Sequence, residues 1–259
     1  MLKTERMGRV RAALRAQGLT QMIVCDPKSV WYLTGVAVEP YERLLALYLP
    51  TEGEPVLFLN RLFNVPEPPC RTVWHTDTDK PVAQIAEVVD AGRPLGIDKE
   101  WPAKFLIPLM ETHPGMQVVL SSDCVDDCRA CKDAEEQTLM REASRINDAV
   151  NEAAKHYIKA GMTEREVAEF IDAQFRAHGC EGPSFTTIVS FGANAADPHH
   201  EPDDTVLKEG DCVLFDMGCV KSRYCSDMTR TWFCGQPTEK QAAVHDLVRR
   251  ANEAAEALI

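Results

Sequence analysis

The alternation of apolar and polar positions divides the chain near residue 125. The N-terminal MLKTERMGRVRAAL has the spacing of a charged amphipathic helix. It is followed from Met22 to Asn60 by a short apolar run (MIVC), a turn, WYLTG, and two apolar runs, LLALYLP and PVLFLN, split by TEGE. That order predicts helix, strand, short helix and a strand hairpin. After the Pro-rich NVPEPPC, a second α and β set runs from Val82 to Leu120, so residues 1–125 read as one α/β domain. Residues 126–259 have a different grammar. Asp133 with Glu136 forms a capping-box signal, and Leu139, Ala143, Ile146, Val150, Ala153 and Tyr157 recur at helical spacing up to Gly161. Thr163 with Glu166 opens a second helix that Gly179 closes, and Thr186 to Phe191 reads as a strand. Val213 to Gly218 and Tyr224 to Phe233 are β-like runs around polar Lys221-Ser222, and Thr238 with Gln241 opens a last helix.

The hairpin holds the most informative residues. A two-residue turn at Lys221-Ser222 puts Asp216 directly opposite Asp227, with Leu214, Thr229 and Thr231 on the same face and Phe215, Met228 and Trp232 on the other. Opposed carboxylates roughly 5 Å apart repel, so they raise one pKa or hold a cation. A solvated hairpin surface is the alternative, and a bulge at Gly218 would shift the register. Upstream, PSFTTIVSFGANAADPHHEPDD is a strand and a loop dense in Gly, Asn, Asp and Pro that carries His199 and His200. Loops at strand ends are where catalytic groups are commonly placed. A neutral imidazole there can donate to a carbonyl or oxyanion.

Composition narrows the classes. With 45% hydrophobic and 26% charged residues the chain is an ordinary globular sequence. A formal net charge of −12 opposes binding to phosphate backbones and anionic membranes, so neither nucleic acid nor a membrane is an expected partner. No apolar run reaches the roughly 20 residues of a membrane helix, and a cytoplasmic location is expected. The ten cysteines are scattered and read as reduced thiols. Cys124, Cys128 and Cys131 cluster without the fourth ligand of a zinc site.

Taken in order, Asn194 to His199, Gly210-Asp211, Val213 to Gly218 and Tyr224 to Thr231 resemble the first half of the pita-bread metallopeptidases, the group of prolidase, aminopeptidase P, methionine aminopeptidase and metal-free creatinase. Arg129 to Glu135 and Gly161 to Glu164 extend the likeness backward. Tyr32 to Gly35 and Glu42-Arg43 resemble the creatinase-like N-terminal domain of prolidases and aminopeptidase P. The resemblance implies an α/β creatinase-like domain followed by an α+β pita-bread catalytic domain, of which only the first half is present. It makes Asp216 a ligand of one metal and Asp227 a bridge between two. His199 becomes the substrate-contacting residue that steadies the tetrahedral intermediate, with His200 the substitute if the register is off by one.

Two divalent ions are implied, Mn²⁺ first and Zn²⁺ or Co²⁺ as alternatives. The implied substrate is a short peptide with proline after the scissile bond, and a homodimer is expected. The family's other ligands, a histidine and two glutamates, have no counterpart here, and the last segment is still helical at VRRANEAAEALI. The expectation is therefore a fragment that is inactive as written, with exposed apolar surface. A metal-free creatinase-like hydrolase and a non-catalytic binding module are the competing readings. The aspartate pair counts against the first, and the second gives no reason to retain it.

Overall fold

The computed structural model describes residues 2–259, which form two compact units, 2–132 and 133–259. The boundary expected at 125 falls inside a helix instead. Cys124 and Val125 of that helix are buried in the first unit's core, which keeps the segment there.

The first unit runs α1 (Thr4–Ala16), β1 (Gln21–Val24), α2 (Pro27–Thr34), β2 (Ala46–Pro50), β3 (Val56–Asn60), β4 (Arg71–His75), α3 (Pro81–Ala86), β5 (Leu95–Ile97), α4 (Ala103–Thr112), β6 (Val118–Leu120) and α5 (Asp123–Ala130). Its strands form one sheet in the order β4-β3-β2-β1-β5-β6. β1 is parallel to β5, and β5 to β6, while β2 is antiparallel to both neighbours. Every residue of β1 and of β3 is buried, as expected of strands covered on both faces. Met7, Val10 and Leu14 of α1 join α2 and α5 in one apolar cluster; Ile85 of α3 and Leu109 of α4 belong to a second. The unit is thus a helix, sheet, helix sandwich.

The second unit runs α6 (Ala134–Tyr157), α7 (Glu164–Ala177), β7 (Gly182–Pro183), β8 (Ile188–Phe191), β9 (Cys212–Met217), β10 (Cys219–Lys221), β11 (Tyr224–Cys225), β12 (Met228–Phe233) and α8 (Glu239–Glu256). A single 3-10 turn, Gly192–Ala196, follows β8. All three capping boxes read from the sequence are formed, at Asp133, Thr163 and Thr238. β9 is the central strand of a sheet ordered β12-β9-β8, and a smaller sheet is ordered β11-β10-β7. Val189, Phe191, Val213, Phe215 and Met217 pack with Ala143, Val150 and Ala154 of α6 and Val167, Ile171 and Phe175 of α7. One sheet face is therefore covered by helices. The other carries Ser190, Leu214, Asp216, Thr229 and Thr231, by the pairing of Ser190 with Leu214, Asp216 with Thr229 and Leu214 with Thr231. α8 contributes no buried residue, and Val244, Leu247 and Val248 are exposed along it.

The hairpin register differs from the expected one. Lys221 pairs with Tyr224, so the turn is Ser222-Arg223, and Asp216 pairs with Thr229 rather than Asp227. Both turn residues have positive φ, 49° and 67°, the backbone of a two-residue primed turn without its usual Asn or Gly. That missing chemistry is why the sequence does not reveal the turn. The slip is two residues, so every side chain keeps its expected face.

All ten cysteines are free thiols. Among the described residues no helix is long and apolar enough to cross a membrane.

Candidate metal centre

Asp216 lies on the central strand, flanked by Ile188 of β8 and Thr229 of β12. Asp227 immediately precedes β12. Being two positions before Thr229, it is the diagonal neighbour of Asp216 on the same face, a distance that side chains can bridge. The carboxyls do meet, and Asp227 is held above the ordinary carboxylate range. Burial is the larger cause, followed by the charge of Asp216 and direct contact with its carboxyl. Asp216 Oδ1 is buried without a hydrogen-bond partner among the described residues.

The backbone between the two strands creates this meeting. β9 breaks at Gly218, where a Cβ would overlap the Ser226 carbonyl oxygen and the Ser184 hydroxyl. Only glycine lets the chain pass that close. Ser226 is then fixed on three sides. Its N–H donates to Cys219 O (2.9 Å), its hydroxyl accepts from Cys219 N–H (3.0 Å), and its carbonyl accepts from Ser184 Oγ (2.8 Å). Asn147 of α6, fully buried, donates to Met217 O at 3.0 Å and holds the other side of the break. Gly218, Ser226, Ser184 and Asn147 thus aim Asp227, and of these only Gly218 carried a sequence signal.

The histidines lie in the loop after β8. His199 is exposed, and its N–H donates to Asp197 Oδ1 at 3.0 Å. His200 turns inward, with Nε2 2.7 Å from Glu164 Oε2. Among the described residues no hydrogen bond links either imidazole to the aspartate pair, so the structure joins Asp216 to Asp227 and leaves the histidines in a separate hydrogen-bonded group.

Two clusters could hold a cation, and their chemistry differs. Glu164, His200 and Asp203 offer ligand atoms within 4.8 Å of one another. Yet Glu164 already accepts from Phe191 N, Asn194 Nδ2, His200 Nε2 and Asp203 N, which fills both oxygens. Asp203 in turn is drawn below the ordinary carboxylate range by the Thr205 hydroxyl and N–H. That cluster is a satisfied joint. At the Asp216–Asp227 pair, a buried acceptor has no donor among the described residues and a like charge sits against it, and a hard divalent cation relieves both. The residues present fit a metal, supplying carboxylate oxygen on one side of it.

A two-unit chain with an N-terminal helix, sheet, helix sandwich and a following helix-backed sheet that brings two aspartates together has the organisation of a pita-bread metallopeptidase with a creatinase-like N-terminal domain. Comparison with known proteins agrees: residues 6–131 match the Creatinase/Prolidase N-terminal domain and residues 138–259 match Metallopeptidase family M24. The chain belongs to metallopeptidase family M24. It is 33% identical over 243 residues to an uncharacterized peptidase of Staphylococcus aureus, covering 90% of this chain and 67% of that protein. The crystal structure of a prolidase from Thermococcus sibiricus superposes with a TM-score of 0.89 at 30% identity, covering 98% of this chain and 72% of the other. A dipeptidase from Mycobacterium ulcerans gives 0.89 and 30%, with 97% and 70% covered.

Proposed function

We propose that this chain carries the aspartate half of a dinuclear metal site for hydrolysis of peptide bonds that precede proline. One observation carries the reading: Asp216 Oδ1 is buried without a hydrogen-bond partner among the described residues, against an Asp227 carboxyl held high by burial and by the Asp216 charge. Asp216 would hold one ion and Asp227 would bridge two. When bound, such ions polarise the scissile carbonyl and lower the pKa of the attacking water. Oxygen ligands favour Mn²⁺, with Zn²⁺ or Co²⁺ compatible.

The chain's own residues do the rest. Ser226 and Gly218 fix the approach of Asp227, and Asn147 fixes the end of β9. His199, exposed on its loop, would donate to the oxyanion that develops as the carbonyl becomes tetrahedral. His200, turned inward onto Glu164, would hold the loop that carries His199 rather than touch the substrate. The similar structures, a prolidase and a dipeptidase, support a dipeptide or short peptide as substrate. The net charge of −12 argues against nucleic acid and anionic membranes as partners, and the acting form is read as a cytoplasmic homodimer. A metal-free mechanism would leave the opposed aspartates unexplained.

Two carboxylates do not saturate two ions, so the 259 residues alone are expected to release no proline. The test is proline release from an Xaa-Pro dipeptide by the protein that carries this chain, with Mn²⁺ supplied. Activity that disappears in Asp227→Asn, with the fold retained, supports the reading. Absence of activity with every divalent metal tried, or full activity in Asp227→Asn, overturns it.

A further inference from the structure

Glu164 is the first residue of α7, just inside the Thr163 cap, and its side chain is fully buried. A carboxylate is favourable in a helix's first turn, because the unpaired N–H groups there carry partial positive charge. Isolated in a core it would be costly unless every lone pair found a donor. Here they do. Oε1 accepts from Phe191 N at 2.7 Å and Asn194 Nδ2 at 3.0 Å; Oε2 accepts from His200 Nε2 at 2.7 Å and Asp203 N at 3.1 Å. The Glu164 N–H also donates to Thr205 O at 3.2 Å, and Arg165 N–H to Asp203 O at 3.1 Å. The donors come from the start, middle and end of one loop. A single side chain spans the segment that carries His199.

The donor pattern also fixes a proton. Asn194 Nδ2 lies 3.1 Å from His200 Nε2, but its two hydrogens have two oxygen acceptors in reach, Glu164 Oε1 (3.0 Å) and Thr205 Oγ1 (3.1 Å). Nε2 faces a carboxylate, which can only accept while ionised, so Nε2 carries the hydrogen.

We propose that Glu164 is the positioning residue of the histidine loop: it locks His200 as the Nε2–H form and, by pinning residues 191, 194, 200 and 203, sets where His199 stands. The proposal rests on the catalytic reading of His199 for its functional meaning, but its physical content does not depend on turnover. Glu164→Gln is the informative change. It keeps shape and replaces one acceptor oxygen by an NH2 donor. If the NH2 takes the Oε2 position, His200 must move its hydrogen to Nδ1 to accept from it, and the Asp203 N–H loses its partner. If it takes the other position, Phe191 N–H and Asn194 are the groups left facing a donor.

The experiment is imidazole ¹⁵N NMR with amide hydrogen exchange on the intact chain, comparing wild type, Glu164→Gln and a core control, Val167→Ala, that destabilises the unit without removing any of these hydrogen bonds. The wild-type His200 should give the Nε2–H signature. In Glu164→Gln that signature should change to Nδ1–H, or Phe191 N–H should lose protection. Exchange within residues 191–205 should rise about tenfold to a hundredfold relative to β9, since a buried donor has lost its acceptor. The control should raise exchange across the whole unit evenly. A wild-type Nδ1–H signature, or a Glu164→Gln loop that exchanges as in wild type, overturns the proposal.

A titration with Mn²⁺ alone, in the chain carrying both Asp216→Asn and Asp227→Asn, completes the test. An unchanged His200 resonance agrees with a hydrogen-bonded joint. A shifted or broadened one shows that the joint is a metal site and sinks the positioning role. Loss of proline release in Asp227→Asn is a separate readout, so failure of the peptidase reading would leave these results standing.

Discussion

Gly218→Ala should damage the metal centre without touching any residue proposed to hold a metal. The added methyl overlaps the Ser226 carbonyl oxygen and the Ser184 hydroxyl and comes within 2.8 Å of the Ser226 carbonyl carbon. Comfortable carbon contacts lie at about 3.5–4.0 Å, so the Ser226 backbone must retreat by roughly 0.7 Å or more. That retreat strains three hydrogen bonds, of Ser226 N to Cys219 O, Cys219 N to Ser226 Oγ, and Ser184 Oγ to Ser226 O. At about 0.5–1.5 kcal/mol per bond if all three are lost, and with overpacking itself costing about 1–3 kcal/mol, a loss of about 2.5–7.5 kcal/mol is expected. Hydrogen exchange across residues 212–233 reads that loss locally, which matters in a chain of two units where a single unfolding midpoint is ill defined. Mn²⁺ affinity, measured by calorimetry, should fall about tenfold or more as Asp227 moves off its line to Asp216. Removing the serine hydroxyl as well, in Gly218→Ala with Ser184→Ala, should recover little, because the backbone oxygen remains in the way. A Gly218→Ala protein within about 0.5 kcal/mol of wild type, a typical neutral surface change, and with unchanged Mn²⁺ affinity would refute the reasoning.

Phe215→Ala, removing a fully buried ring that meets Trp232 edge-on at 4.6 Å, should destabilise the second unit by about 3–5 kcal/mol, read by exchange of β9 amides. Asp133→Ala, which breaks the capping box of α6, should cost about 1 kcal/mol and raise exchange in the first turn of that helix alone. Mn²⁺ binding should weaken on acidification from a pH above the ordinary carboxylate range, because Asp227 is held high and the proton competes with the ion. Without metal the sign is opposite. Asp227 binds its proton more tightly folded than unfolded, so its contribution to stability falls as pH rises from the ordinary carboxylate pKa through the raised one. Asp203 is shifted the other way, so the stability it lends its loop is present above the ordinary carboxylate pKa. It is lost as pH falls through the lowered one, and Thr205→Val, which removes the hydroxyl but keeps the N–H, should weaken that dependence.

Which parts of the protein could be read from its letters follows from where each signal resides. Helix starts are local, so Asp133, Thr163 and Thr238 announced α6, α7 and α8 with their caps three residues on. The faces of β9 and β12 were legible because alternation survives a slip of two residues. The register was not, because Ser222-Arg223 adopts a turn that ordinarily uses Asn or Gly, and nothing in those side chains betrays it. β4 was also invisible: only His75 of its residues is fully buried, and it follows a proline-rich stretch. The aspartates and histidines were legible as chemistry and as motifs. Their supports were not. Ser184, Asn147 and the lone pairs of Glu164 act through contacts between residues 27 to 70 positions apart along the chain, and such partners have no sequence spacing to reveal them. The domain boundary moved from 125 to 132 for a related reason, since the burial of Cys124 and Val125 is decided by the sheet beneath them.

The sharpest test of the aspartate pair is Mn²⁺ calorimetry combined with metal-free stability on wild type, Asp216→Asn and Asp227→Asn. If the two carboxylates are held together for a cation, either change abolishes Mn²⁺ binding, and metal-free Asp227→Asn is at least as stable as wild type, because the repulsion is gone and the Asn amide can donate to Asp216. Mn²⁺ binding that persists in both variants, or an Asp227→Asn protein that is clearly less stable without metal, would contradict the account.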